Sequence, residues 1–335
     1  MEVEARVVRL RLAETFVIAR DATDVADVVH VALSHKGMTG FGEAAPIERY
    51  GESVESARAF VEEHGELIGD DPFALEDIGE RLGAVPGEQA AKAAIDAALH
   101  DLEGKLLGVP VFRFLGLPRS GPPTSWTVWL GDPDDMARRA ESAAASYRRL
   151  KLKLGGGDSL DVERVRAVRG ATDLPLMVDV NEWWSLEEAL ENLPQLAELG
   201  VEYCEQPLRA GDEAGRELRA RSPIPIYVDE DCHTLADVLT CAEIAHGINI
   251  KLSKSGGIRE AIRMAHAARA LRMGVMLGCM IESGLGIAAG CCVAPLCDHV
   301  DLDGNLLLAE DPCPGVDFVD GAQVPSNRPG LGVRV

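Results

Sequence analysis

The sequence predicts an α/β chain organised around a barrel of parallel strands, and three observations carry that prediction. Hydrophobic runs end in charge at Lys151-Leu152-Lys153, Asp179, Glu205 and Asp229, and the steps from Lys153 onward are 26, 26 and 24 residues. Each step is the length of one strand, one helix and two loops, the repeat of a β/α barrel. Eight strand-like segments follow Thr124 with helix-period segments between them, and eight strands close a barrel whose interior side chains can fill. The 335 residues exceed the roughly 250 that such a barrel needs, so a second, smaller domain is expected.

In chain order, Val3 to Leu12 and Val25 to Ser34 alternate and are rich in β-branched residues, which predicts two strands with Phe16 to Asp24 as a loop between them. A third extended piece precedes Pro46. Ser53 is a good N-cap for a helix over Val54 to Leu67, and two more helices are expected over Pro72 to Leu82 and Glu88 to Leu107, the last ending at Gly108. This α+β capping unit is assigned to residues 1–120, with a boundary in the Gly- and Pro-rich stretch Gly116 to Pro123.

The barrel is assigned to residues 121–311, with strands at Ser125 to Trp129, Leu150 to Leu154, Leu176 to Val180, Val201 to Glu205, Ile226 to Asp229, Gly247 to Lys251, Val275 to Cys279 and His299 to Leu302. Helical periodicity appears over Asp134 to Ser146, Ser159 to Val168, Leu186 to Leu199, Asp212 to Arg221, Leu235 to Ala245 and Ile258 to Arg272. The tail, 312–335, holds Pro312, Pro314, Pro325 and Pro329 and is expected to run extended back over the N-terminal unit.

Charge and composition exclude several partners. With 33 Lys and Arg against 55 Asp and Glu the net charge is −22, which repels phosphate backbones and anionic lipid. No secretory signal pattern is visible and no run reaches the apolar length of a membrane span, so a cytoplasmic protein is expected. The eight cysteines are scattered without CxxC pairs, which favours free thiols over a disulfide framework.

In a β/α barrel the C-terminal strand ends share one mouth, so Asp179, Glu205 and Asp229 would converge there. Three hard oxygen donors suit Mg²⁺, with no histidine or cysteine in register to favour Zn²⁺. Lys151 and Lys153 lie two apart, hence on one face of their strand. Lys251 ends the sixth strand, opposite the second in a ring of eight, so Lys153 and Lys251 would flank whatever lies between them. Two such bases can take a proton from one face of a carbon and return one to the other. For that, burial and cationic neighbours, Lys151 and the metal, must lower a lysine's pKa. Lys254 is read instead as snorkelling to solvent. Gly155-Gly156-Gly157 is read as a turn, Cys291-Cys292 as core packing, and His30, His64 and His100 as structural.

These residues together resemble the enolase superfamily, in its muconate-lactonizing-enzyme subgroup. The resemblance is carried by KLKLG at Lys151 to Gly155, DVN at Asp179 to Asn181, EQP at Glu205 to Pro207, VDED at Val228 to Asp231 and INIKLSKSGG at Ile248 to Gly257. It implies a (β/α)7β TIM-like barrel under an α+β capping domain, metal ligands at Asp179, Glu205 and Asp229, and acid/base lysines at Lys153 and Lys251. It further implies that a substrate carboxylate chelates Mg²⁺, and that proton loss beside it gives an enediolate which Lys151 helps to hold. Members often assemble as dimers or octamers, so the resemblance leaves room for a homo-oligomer.

GCMIES at Gly278 to Ser283 and DLDG at Asp301 to Gly304 resemble the dipeptide epimerases of that subgroup. Asp301 and Asp303 share one face of the last strand and could pair with a substrate ammonium. Asn181 and Glu282, in the DVN and GCMIES stretches, are further substrate-contact candidates. Arg20, Arg49 and Tyr50 lie in capping-domain loops expected to close over the mouth, where an arginine could prefer an acidic side chain. DVNEWW departs from the commoner Asp-Ala-Asn form. The leading expectation is a Mg²⁺-dependent epimerase of the C-terminal residue of a dipeptide. Its rivals are an o-succinylbenzoate synthase or N-acylamino acid racemase, a cycloisomerase, or a noncatalytic metal-dependent binding protein.

Overall fold

The computed structural model describes residues 1–335. It begins with a three-stranded antiparallel sheet, β1 (Glu2–Ile18), β2 (Asp21–His35) and β3 (Met38–Ala44). The expected loop at Phe16 to Asp24 is instead the end of a long hairpin. After an irregularity between Arg11 and Phe16 the ladder resumes as Phe16↔Thr23, Val17↔Ala22 and Ile18↔Asp21, leaving Ala19 and Arg20 as the turn. The aromatic and β-branched residues on both arms keep the pairing going.

Against this sheet pack α1 (Val54–His64) and α3 (Gln89–Leu107), with α2 (Leu75–Gly83) lying on α3 and the short α4 (Val111–Phe114) following. Ser53 caps α1 as expected, in a reciprocal capping box with Ser56. The long α3 is buried on almost every side, and its alanines let β3 approach closely. A Cβ on Gly42 would fall 2.0 Å from the Ala94 carbonyl oxygen, so only glycine fits there.

The remainder is an eight-stranded parallel sheet ordered β4 to β11. Its strands are β4 (Trp126–Val128), β5 (Leu150–Lys153), β6 (Leu176–Asp179), β7 (Val201–Glu205), β8 (Ile226–Val228), β9 (Gly247–Ile250), β10 (Gly274–Gly278) and β11 (His299–Asp301). All eight expected strands are present. A parallel bridge Thr124↔Val300 and the Ser125 N–H donating to the Val300 carbonyl at 2.9 Å join the last strand to the first. The outer helices are α5 (Pro133–Ala143), α6 (Asp161–Ala171), α7 (Leu186–Glu198), α8 (Gly215–Arg221), α9 (Leu235–Ile244), α10 (Leu252–Ser255), α11 (Ile258–Ala270) and α12 (Gly284–Val293). The one-turn α10 has no counterpart in the sequence reading, because four residues are too few to show helical periodicity.

Two apolar clusters fill the space between strands and helices, and a third lies under the capping sheet. Inside the barrel, below the mouth, Met177, Tyr203, Tyr227 and Met276 close the floor. The strands flanking Tyr227 must be glycine where its ring lies, since a Cβ on Gly247 would sit 2.3 Å from it. The tail forms a hairpin of β12 (Asp317–Val319) and β13 (Ala322–Val324), and beyond it the Leu331 N–H donates to Asp101 of α3 at 2.7 Å. All eight cysteines are free, and no helix is long and apolar enough to cross a membrane.

Candidate active site

The β5–β6 and β6–β7 registers align Lys153 with Asp179 and Asp179 with Glu205. Strand pairing therefore sets these charges in one ring, and Asp229, one residue past β8, continues it. Each is buried: Asp179 is 1%, Glu205 0% and Asp229 1% exposed. Carboxylates kept from water must find donors, and here four lysines supply them. Lys153 donates to Asp179 at 2.6 Å, Lys151 to Glu205 at 3.0 Å and Lys251 pairs with Asp229 at 2.8 Å. Lys151 also pairs with Asp301.

The three carboxylates do not close into a three-donor cluster, because the ammonium groups stand among their oxygens. None of the three lines the cavity described next, whose wall carries Lys151, Lys153 and Lys251 instead. The donor set still fits a hard divalent cation. Asp179, Glu205, Asp229 and Asp301 carry four negative charges against four on Lys151, Lys153, Lys251 and Lys254. The buried Asn249 Oδ1, whose amide nitrogen donates to Glu205 at 2.6 Å, has no partner of its own, so oxygen capacity is present beside the ring.

Lys254 corrects the sequence reading. It does not reach solvent: it is 1% exposed, and its ammonium donates to Asp229 Oδ1 at 2.5 Å and to the Asn249 carbonyl at 3.0 Å. The single turn of α10 folds it back under the mouth. Lys251 also departs from expectation. Burial works to lower its pKa, but Asp229, Tyr50 and Glu205 outweigh that and hold it above the ordinary lysine range. A cation bound to Asp229 would compete for the charge that does this. Lys151 is likewise held well above its ordinary value, with Asp301, Glu205 and Asp179 overcoming burial.

Above the ring is a cavity of about 490 Å³ between the barrel mouth and the capping domain. Lys151, Lys153, Asn181, Lys251, Asp301 and Asp303 form its barrel wall. Lys153 and Lys251 thus border one space from the second and sixth of eight strands. Asn181 accepts from Lys153 at 3.2 Å. Asp303 accepts the Thr127 N–H at 2.7 Å, and burial together with the neighbouring Asp301 pushes its carboxyl up to about 7. The buried Asp301 Oδ1 has no hydrogen-bond partner.

Tyr50 lines the cavity edge-on to His233, 4.5 Å between centroids. Burial and Asp229 keep its hydroxyl above the usual phenol range. Glu282 is not part of the wall. It accepts the Met280 N–H at 3.0 Å beneath the rim, where burial and Glu43 raise its carboxyl to about 8. Arg20 lines the cavity but is not free: it donates to Glu230 at 2.8 Å and to the Asn181 carbonyl at 3.2 Å. Glu43 was not singled out in the sequence. It accepts the Ser283 N–H at 2.8 Å and bonds His30 at 2.9 Å, tying β2 and β3 to the rim of the barrel.

Residues 1–116 match the mandelate racemase / muconate lactonizing enzyme N-terminal domain, and residues 135–335 match the enolase C-terminal domain-like family. The chain is similar to an L-Ala-D/L-Glu epimerase of Bacteroides thetaiotaomicron, 38% identical over 97% of this chain and 85% of the relative. It is similar also to a hydrophobic dipeptide epimerase of Roseobacter litoralis, 36% identical over 99% and 98% of the two chains. Among solved structures it resembles a dipeptide epimerase from Enterococcus faecalis complexed with Mg and L-Leu-L-Tyr, with a TM-score of 0.95, 31% identity and 99% of each chain covered.

Proposed function

This chain belongs to the mandelate racemase / muconate lactonizing enzyme family, and from that premise we propose that it is an isomerase, a dipeptide epimerase that inverts the α-carbon of the C-terminal residue. One observation carries the reading: Lys153 and Lys251 border a single cavity from opposite strands, and the same wall holds Asp301 with a buried oxygen that lacks a partner.

Lys153 and Lys251 act as the two acid/base groups, one on each face of the α-carbon. The neutral amine of one takes the α-proton, and the ammonium of the other delivers a proton to the opposite face. The nitrogen that gained a proton and the one that lost it have exchanged roles, so the reverse direction uses the same pair. Asp179, Glu205 and Asp229 would hold Mg²⁺, and a bound ion would supply positive charge to offset the negative charge that builds on the substrate carboxylate. Lys151 adds positive charge at the same place, and Asn181 orients Lys153.

Asp301 and Asp303 receive the free amino terminus. A buried carboxylate oxygen without a donor is costly, and a substrate ammonium would satisfy it. This separates the reading from racemases of N-acylated amino acids and from cycloisomerases, whose substrates bring no ammonium there. Incubation with L,L-dipeptides and Mg²⁺ in D₂O, read by mass spectrometry, tests it. Dipeptides that gain one deuterium support the reading, and none doing so refutes it.

A further inference from the structure

We propose that Glu182 sets the side-chain preference of this site, so that the residue inverted carries an uncharged, apolar side chain; the proposal rests on the dipeptide epimerase reading. The two basic side chains that the capping domain brings to the cavity rim are Arg20, in the β1–β2 turn, and Arg49, in the turn Glu48–Tyr50. Both are already paired, Arg49 with Glu182 and Arg20 chiefly with Glu230. Arg49 grips Glu182 with two donors, Nε at 3.1 Å and Nη2 at 2.7 Å. Arg20 Nη1 is 3.5 Å from the Glu182 oxygen that accepts from Arg49 Nε, while its Nη2 donates to Glu230 at 2.8 Å. Each guanidinium thus faces an acidic side chain, so neither is free to meet an incoming carboxylate.

The backbone fixes this arrangement. Asn181 and Glu182 both take left-handed conformations, φ 49° and 70°, which asparagine tolerates and glutamate adopts with strain. The Glu182 N–H is anchored on the Gln206 carbonyl at 2.8 Å, and its carboxylate also accepts the Ala210 N–H at 3.0 Å. The side chain is 9% exposed. Beside this cluster the cavity is lined by the apolar Phe16, Ile18, Val25, Ile281 and Leu307, and the other charged groups the capping domain adds, Asp21, Asp27 and Glu48, are all acidic. A substrate carboxylate entering there would lose water and find no free cation, whereas an aliphatic or aromatic side chain would be covered.

The test compares kcat/KM for L-Ala-L-Leu and L-Ala-L-Glu, with Mg²⁺, in the parent enzyme and in Glu182→Gln. The parent is expected to favour L-Ala-L-Leu by about tenfold or more, and Glu182→Gln, which frees Arg49 while Arg20 stays on Glu230, to move the ratio toward L-Ala-L-Glu by about tenfold or more. A parent that favours L-Ala-L-Glu overturns the proposal while leaving the epimerase reading intact. So does an unchanged ratio in a Glu182→Gln enzyme that retains turnover. The parent ratio decides alone if that variant does not fold. A parent inactive on every dipeptide overturns the epimerase reading and the proposal together.

Discussion

Lys254 and Asp229 form a buried ion pair at 2.5 Å, each 1% exposed, directly beneath the strand end that carries Lys251. The pair holds Asp229 from below while Lys251 holds it from the side at 2.8 Å. Lys254→Met would leave one oxygen of a buried carboxylate without its donor. Removing one partner of such a pair costs about 3 kcal/mol or more. The variant should therefore unfold at lower temperature and lose most of its turnover, as thermal denaturation and a racemisation assay would show. Unchanged melting and activity would mean that Asp229 needs only Lys251.

The free amino terminus is the feature by which Asp301 and Asp303 recognise substrate in this account. N-acetylation of a good dipeptide substrate should reduce kcat/KM by about a hundredfold, the loss expected when a buried charge pair is denied one partner. Asp303→Asn should narrow the gap between free and acetylated forms. Equal turnover of both by the parent enzyme would remove this role.

How much of this was legible follows from where the signal lies along the chain. Asp179, Glu205 and Asp229 were readable because a parallel strand repeats at a fixed interval and puts its last residue at a common mouth. Lys254 was misread because its fate depends on one turn of helix, Leu252–Ser255, too short for any periodicity. Arg20 shows another limit. Its partners Asn181 and Glu230 lie 161 and 210 residues away, so the sequence placed it at the mouth but could not show that it was already paired. Glu43 was invisible for the same reason, since its contact with Ser283 spans 240 residues.

Glu103, on α3, gives a pH test remote from the site. Burial, then the charge of Asp96, raises its carboxyl from an ordinary value to about 7. A carboxyl raised on folding binds its proton more tightly in the native state than in the unfolded chain. Its contribution is therefore full below the unfolded value and is lost as pH climbs toward 7. Glu103→Gln should melt higher than the parent at pH 8 and at about the same temperature near pH 4. A difference of the same size at both pH values would assign the effect to packing alone.

The two-base claim is tested most directly by following α-hydrogen exchange in D₂O, separately for the L,L and L,D forms of one dipeptide, in Lys153→Ala and Lys251→Ala. Each variant retains one base. The expected result is that neither inverts the α-carbon, that each still exchanges the α-hydrogen of one epimer, and that the epimer differs between the two variants. Inversion by either variant, or exchange of both epimers by one of them, would contradict the assignment of Lys153 and Lys251 to opposite faces.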